Sequence, residues 1–444
     1  MSDLTVGIDI GTSSVKAVVA DDDGRIVARS RVPHAFYVPS PLRFEHDAAA
    51  AWHEGPRRAL EAVGDIDVRA VSVAAMVPSL TAVDHDGVPC TPGLLYGDER
   101  GHTDKPSAIA EAGELMQFLR WQSAERPDAR GYWMAQAVAN HALTGEAIVS
   151  TTVAATAYPL FDWTSWDDAL LASCGARAEQ MPAIGVSGRA LAEVRGRANC
   201  VLEGGTIDAM GEQVVAGCDT AGDVLVILGT TLIVWTVTDD AVDVPRYYTI
   251  PHTTPGTFLV GGPSNAGGLF LDWVSRLLDA RGESAADLTP DEVPVWVPYP
   301  RGERVPLHDS TRRAQLIDLN LRHGPGAVRR AAFEASGFVA RRMIDAVPVP
   351  ARRIVATGGG TRVDGWVEAL ADCTELPVHV CEVPEGGALG AAFLARLAAG
   401  LETSMSDARR WARTARVVDP DPKWSPRTRE RYARFLAVAG ETPG

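Results

Sequence analysis

Lysine is almost absent from this sequence. Only Lys16, Lys105 and Lys423 occur among 444 residues, and arginine supplies nearly all the positive charge. Positive side chains are also outnumbered: 42 Lys and Arg stand against 57 Asp and Glu, a formal net charge of -15. That deficit argues against a nucleic-acid or anionic-membrane partner, because phosphate-rich surfaces recruit basic ones. The arginine-rich stretches, such as Arg409-Arg410 with Arg413, read as solvated helix faces.

Cysteine is sparse too. Cys90, Cys174, Cys200, Cys218, Cys373 and Cys381 form no CxxC pair and no zinc-like cluster, so free thiols in a reducing compartment are expected. No basic segment followed by an apolar stretch opens the chain, and no apolar run is long enough to span a bilayer. A soluble, cytoplasmic protein is the expectation. Walker A, HExxH, GxSxG and dinucleotide GxGxxG patterns are all missing, which removes the commonest nucleotide-binding and hydrolytic readings.

What is present is a hairpin that occurs twice. Val6-Gly7-Ile8-Asp9-Ile10-Gly11-Thr12-Ser13-Ser14-Val15-Lys16 reads as strand, tight Gly-Thr turn, strand. So does Val224-Leu225-Val226-Ile227-Leu228-Gly229-Thr230-Thr231-Leu232-Ile233-Val234. Gly11-Thr12-Ser13 aligns on Gly229-Thr230-Thr231 without a gap, and each hairpin runs on to an acidic pair, Asp21-Asp22 and Asp239-Asp240. Two matched units half a chain apart predict two domains of one architecture. A length of 444 residues and an apolar content of 46% allow each domain its own core. Such turns offer amides and hydroxyls to an oxyanion, and two facing each other would grip a nucleotide triphosphate tail. One of the three lysines, Lys16, lies in the first hairpin, a chemically sensible place for a compact cation, although chance placement is the plain alternative.

Elsewhere, patterning predicts a third strand over 25–32, a helix from Asp47 through 62, strands over 68–75 and 81–83, and helices over 132–143, 167–174 and 209–216. The second half predicts helices over 269–280, 325–346, 363–373 and 388–399, strands over 353–356 and 378–381, and a loop over 281–294. The domain boundary is expected near 217–222, giving domains over 1–218 and 219–444, and the last forty or so residues are expected to wrap the surface.

Five segments could carry chemistry. Asp9 ends an apolar strand beside the first turn, where a carboxylate can hold Mg2+ through water or simply serve the hairpin. Asp208, in Gly204-Gly205-Thr206-Ile207-Asp208, stands where a helix begins, so it is a helix cap on local sequence and a proton acceptor in phosphoryl transfer on the functional reading. Thr357-Gly358-Gly359-Gly360 permits close backbone approach to a flat or phosphorylated ligand, or is an ordinary strand-to-helix turn. Asn265-Ala266-Gly267-Gly268 and Glu385-Gly386-Gly387 both open helices and have the same two readings.

In this order the segments resemble the FGGY carbohydrate kinases, especially their xylulokinase-like branch, within the actin-like superfamily. Gly7 through Lys16 looks like the family's first phosphate motif and Leu228-Gly229-Thr230-Thr231 like its second. Phe44-Glu45-His46-Asp47 with Trp52 resembles the aromatic-x-Glu-Gln-Asp element, and Tyr96-Gly97-Asp98-Glu99-Arg100 the Trp-x-Asp-x-Arg element. Gly205-Thr206-Ile207-Asp208 resembles the element bearing the catalytic base. Pro298 through Pro306 is similar to Pro-Tyr-x-x-Gly-Glu-Arg-x-Pro, and Gly358-Gly359-Gly360 with Trp366 to the adenosine motif.

The resemblance implies two actin-like (ribonuclease H-like) α/β domains, the first sugar-binding and the second nucleotide-binding, with the active site in the cleft between them. It implies transfer of the ATP γ-phosphoryl group to a hydroxyl of a sugar, ketose, polyol or cyclitol. Asp208 would be the base and Asp9 would hold Mg2+; Gly11, Thr12, Ser13, Ser14, Lys16, Gly229, Thr230 and Thr231 would grip phosphates. Gly268, Asp272, Gly359, Gly360 and Asp364 match nucleotide contacts, and Asp98 and Arg100 would lie near the sugar. A homodimer is left open. Two departures stand out: Met76-Val77-Pro78-Ser79 replaces the family's Gln-Met-His-Gly sugar contact, and the 100–121 stretch looks short. Xylulokinase proper, and a silent sugar-binding or regulatory protein of the same fold, therefore stay as alternatives.

Overall fold

The computed structural model describes residues 3–40, 42–101, 114–252, 254, 256–278, 288–382 and 385–439. Lys105, half of the 281–294 loop and much of the 100–121 stretch lie outside the described residues. The chain divides into two compact units, one of Met1–Val215 with Glu385–Trp411 and one of Ala216–Pro384 with Ala412–Gly444.

In the first unit the main sheet runs Ala190–Glu193, Val201–Glu203, Ala70–Ala75, Thr5–Ile10, Ser14–Ala20, Ile26–Pro33. Thr5–Ile10 pairs in parallel with Ala70–Ala75 and antiparallel with Ser14–Ala20. All six of its residues are buried, as a central strand covered on both faces requires. Its alternation assigns the faces. Val6, Ile8 and Ile10 join a core with Trp52 and Leu60. Thr5, Gly7 and Asp9 share the other face, which the helix Gly386–Ala398 covers. Thr5 Oγ1 donates to the Ala392 carbonyl at 2.9 Å. At Gly7 a Cβ would lie 1.7 Å from the Ala388 carbonyl oxygen, so only glycine lets the helix this close.

The second unit repeats this path. Its sheet runs Thr414–Val418, Val378–Cys381, Arg353–Thr357, Asp223–Leu228, Leu232–Thr238, Phe258–Ser264, with Tyr248–Pro251 added at the last edge. Read from Thr414–Val418 to Phe258–Ser264, the pairings are antiparallel, parallel, parallel, antiparallel, antiparallel. The first sheet gives the same sequence from Ala190–Glu193 to Ile26–Pro33. The turns differ by one residue: residues 11–14 lie between paired Ile10 and Val15, but only 229–231 between Leu228 and Leu232.

Four expectations need correction. Residues 385–411 join the first unit rather than the second, because Gly386-Gly387-Ala388 and Ala391-Ala392 offer the small surface that packs on Gly7. The last forty residues do not merely wrap the surface. Thr414–Val418 is a strand of the second sheet, and Ser425–Ala439 buries Tyr432, Phe435 and Leu436 in the second core. The expected helix over 132–143 starts only at Ala135, because Gly131–Trp133 pairs with Ser79–Val83 as a strand. The helix expected from Asp47 is a wide turn, Ala49–Glu54, leading into Gly55–Ala62, with Asp47 Oδ1 accepting from the Ala50 N–H at 3.1 Å.

Candidate active site

In open α/β sheets, ligands collect beyond the carboxyl ends of parallel strands. In the first unit the register Asp9–Ala74–Thr206 and Ile10–Ala75–Ile207 aligns three such ends. Asp9, the Val77-Pro78 pair and Asp208 therefore leave the sheet together. Gly387 marks how near the first and last come: a Cβ there would lie 3.4 Å from Asp9 Cγ and 3.5 Å from the Asp208 carbonyl oxygen.

Asp9 is 7% exposed, and its Oδ2 stands 3.4 Å from Lys16 Nζ, directly across the hairpin ladder. Its Oδ1 is buried with no hydrogen-bond partner. Burial raises the Asp9 pKa, opposed by Lys16; the Asp9 charge in turn raises that of Lys16. A hard cation fits this donor: an oxygen is left over, and the carboxylate carries a charge that burial disfavours. Asp208 is half-buried as the first residue of the helix Asp208–Ala216, and its Oδ1 accepts from the Ala209 N–H at 2.7 Å.

The segment leading to Asp208 is held by side chains that the sequence reading missed. Glu203 is fully buried and accepts from Ser72 Oγ at 2.7 Å, the Gly205 N–H at 2.7 Å and the Gly188 N–H at 3.0 Å. Burial pushes its carboxyl pKa up, and these three donors pull it back. Gln136 Nε2 donates to the Ala75 and Thr206 carbonyls, each at 3.1 Å, tying two of the strand ends together. One turn on, Asn140 Nδ2 donates to the Gly204 carbonyl at 3.1 Å. A signal existed: two amides spaced i, i+4 in the Ala-rich segment Ala135–Thr144.

Asp98 and Arg100 are brought together. Asp98 Oδ1 accepts from Arg100 Nε at 2.9 Å, and its Oδ2 from Arg100 Nη2 at 2.6 Å and the Phe44 N–H at 2.7 Å. Asp98 is 0% exposed with both oxygens engaged, so it holds Arg100 rather than facing open space. Arg100 also pairs with Glu45 Oε2 at 2.7 Å and lies 4.9 Å over the Trp121 ring. Val77 and Pro78 are half-buried and offer no side-chain donor.

In the second unit, Gly229-Thr230-Thr231 and Gly358 follow the carboxyl ends of two adjacent parallel strands. The Thr231 hydroxyl is buried without a hydrogen-bond partner. At Gly359 a Cβ would meet nothing within 4 Å, whereas at Gly360 it would strike the Trp366 ring at 2.3 Å. Gly359 thus faces open space and Gly360 serves packing. Gly268 lies against the turn: its N–H donates to the Gly229 carbonyl at 2.8 Å. Glu303, buried and raised in pKa by that burial, anchors this neighbour. It accepts from Ser264 Oγ at 2.6 Å and the Asn265 N–H at 2.8 Å. Asp272 is exposed on the helix Gly268–Leu278. Asp364 pairs with Arg416 at 2.8 Å on the surface.

Twin sheets of one strand path, each with a Gly-Thr turn beyond its central strand, and a buried carboxylate beside one of those turns define an actin-like α/β class. The comparisons make it particular. Residues 4–202 match the N-terminal domain and residues 224–399 the C-terminal domain of the FGGY family of carbohydrate kinases, and the chain belongs to that family. It is an ATP-dependent carbohydrate kinase with an alcohol group as acceptor. It is 26% identical to a xylulose kinase of Escherichia coli, covering 90% of this chain and 91% of that one. It is 24% identical to a gluconokinase of Bacillus subtilis, over 90% and 88%. In fold it matches a crystal structure of a kinase from Brucella ovis with a TM-score of 0.82 at 23% identity, covering 98% of this chain and 99% of that one. Among the described residues no helix is long and apolar enough to cross a membrane.

Proposed function

We propose that Asp208 is the general base of this kinase, that Asp9 holds Mg2+, and that the acceptor is a sugar or polyol other than D-xylulose. One observation carries the reading: Asp9 and Asp208 leave the carboxyl ends of neighbouring parallel strands and both come within contact distance of Gly387. Asp208 takes the proton of the acceptor hydroxyl as that oxygen bonds to the γ-phosphorus and the bond to the ADP oxygen breaks. Glu203, Gln136 and Asn140 fix the segment that presents Asp208. Lys16 and the amides and hydroxyls of residues 11–14 and 229–231 receive the phosphates. Mg2+ held at Asp9 would neutralise charge on the phosphate oxygens.

The relatives named above phosphorylate different compounds, a ketose in one and a sugar acid in the other, so family membership leaves the acceptor open. Val77-Pro78 stands where the xylulokinase pattern has a histidine donor, and losing a donor to a substrate hydroxyl costs discrimination on the order of 10⁴-fold. ADP release measured over pentuloses, hexuloses, tetritols and cyclitols tests the reading. Best turnover on a compound other than D-xylulose supports it, and D-xylulose exceeding all others overturns the acceptor assignment. No ADP release on any of them, with MgATP bound, favours a silent binding protein instead.

A further inference from the structure

The two phosphate turns are tied down by different means. In the second unit the Gly229 and Thr230 carbonyls accept from the N–H groups of Gly268 and Leu269, at 2.8 and 3.1 Å, where the helix Gly268–Leu278 begins. In the first unit no helix end performs this task among the described residues. His46 Nε2 lies 2.9 Å from the Thr12 carbonyl oxygen, and the His34 backbone N–H donates to the Ser13 carbonyl at 3.1 Å.

The chemistry of the partners fixes the imidazole. A carbonyl only accepts, so Nε2 carries the proton. The Trp52 indole only donates, and its Nε1–H lies 3.0 Å from His46 Nδ1, so Nδ1 is bare. His46 is 1% exposed and Trp52 0%, and the His34 ring stands edge-on at 4.5 Å. A peptide is planar and trans, so its C=O and the next N–H point in opposite directions. Pulling the Thr12 carbonyl inward turns the Ser13 amide outward. The Thr12 and Ser13 amides, like those of Thr230 and Thr231, donate to no described residue.

We propose that His46 is a positioning residue for ATP: its Nε2–H, locked in that tautomer by Trp52, pins the Thr12 carbonyl and so aims the Ser13 amide at the triphosphate. The proposal rests on the ATP-dependent kinase reading. It explains how the family's aromatic-x-Glu-Gln-Asp element can carry glutamine at this place. A glutamine amide can donate to Thr12 with its nitrogen and accept from Trp52 with its oxygen, making both bonds.

The test is MgATP binding by calorimetry, with thermal midpoints, for wild type, His46→Gln and His46→Leu. The leucine variant is expected to bind MgATP about tenfold to a hundredfold more weakly, the loss of a hydrogen bond to a charged group. The glutamine variant is expected to stay within about threefold of wild type, since a donor is restored. A folded leucine variant that binds MgATP like wild type, whatever its midpoint, overturns the proposal and leaves the kinase reading intact. Wild type that binds no MgATP overturns both. If the leucine variant does not fold, nitrogen-15 spectra of histidine-labelled wild type decide. A bare Nδ1 with an Nε2 proton that shifts on MgATP addition supports the assignment. The opposite tautomer, or no shift, rejects it.

Discussion

Lys16 and Asp9 face each other across the first hairpin, with Nζ 3.4 Å from Oδ2, and the second carboxylate oxygen is buried with no hydrogen bond. The lysine therefore satisfies half of the carboxylate. If the other half serves Mg2+, Asp9→Asn should fold but lose its response to the metal. Wild type should gain thermal stability from MgATP over ATP with chelator, since a ligand of the native state stabilises by mass action. The variant should show the same midpoint in both. An equal metal response in the two proteins would remove Asp9 from the Mg2+ shell.

Asp208→Asn separates a base from a helix cap. Asparagine caps a helix about as well as aspartate, so a cap role leaves turnover near wild type. A base role predicts unchanged thermal midpoint and MgATP affinity with turnover down roughly 10²- to 10⁴-fold. The three quantities should be measured side by side on the best acceptor found. With both oxygens of Asp98 engaged by Arg100 and Phe44, Asp98→Asn should act through displacement of Arg100 instead.

Burial, with His34 beside it, pushes the His46 pKa from 6.5 down to about 4. Its folded value is depressed, so the unfolded chain binds the proton first on acidification. The stability tied to neutral His46 is complete above pH 6.5 and is lost as pH falls toward about 4. At about 1.4 kcal/mol per unit, the difference amounts to about 3 kcal/mol. Denaturant titrations across that window should show a steeper loss for wild type than for His46→Gln. Parallel curves would show that other groups govern the acid limb.

Glycines divide into two kinds, and alanine should tell them apart. Gly390→Ala places a Cβ 2.0 Å from the Gly211 carbonyl oxygen, where the helices Gly386–Ala398 and Asp208–Ala216 cross. Overpacking of this kind costs about 1–3 kcal/mol and occasionally more. Gly359→Ala meets nothing within 4 Å and should change stability by less than about 0.5 kcal/mol. If the Gly358–Gly360 turn receives nucleotide, Gly359→Ala should still weaken MgATP binding. Unchanged affinity would detach that turn from the ligand.

The hairpins, their repetition and most helix positions were legible in the sequence because they rest on local alternation and turn chemistry. Asp9 and the Gly-Thr turns were legible for the same reason. The shared six-strand path was not, because strand order depends on pairings such as Asp223–Leu228 with Arg353–Thr357, far apart in the chain. Glu203, Gln136 and Asn140 looked like ordinary polar residues, since their partners are backbone groups that only the fold brings near. His46 was visible as part of a motif, but its bond to Thr12 spans 34 residues. The assignment of residues 385–411 failed because a run of Gly and Ala does not announce which strand it will cover.

That misplaced segment has a consequence for how the protein is made. The face of Thr5–Ile10 that bears Thr5, Gly7 and Asp9 is closed by Gly386–Ala398, through contacts such as Thr5 to Ala392. On the ribosome the first strand emerges early and its cover emerges near the end of synthesis. The N-terminal unit must therefore wait, with one side of its central sheet uncapped, while the intervening 216–384 segment is made. Nascent chains halted before residue 386 should leave the face bearing Thr5, Gly7 and Asp9 uncovered and open to protease, even though every strand of that sheet has already been translated.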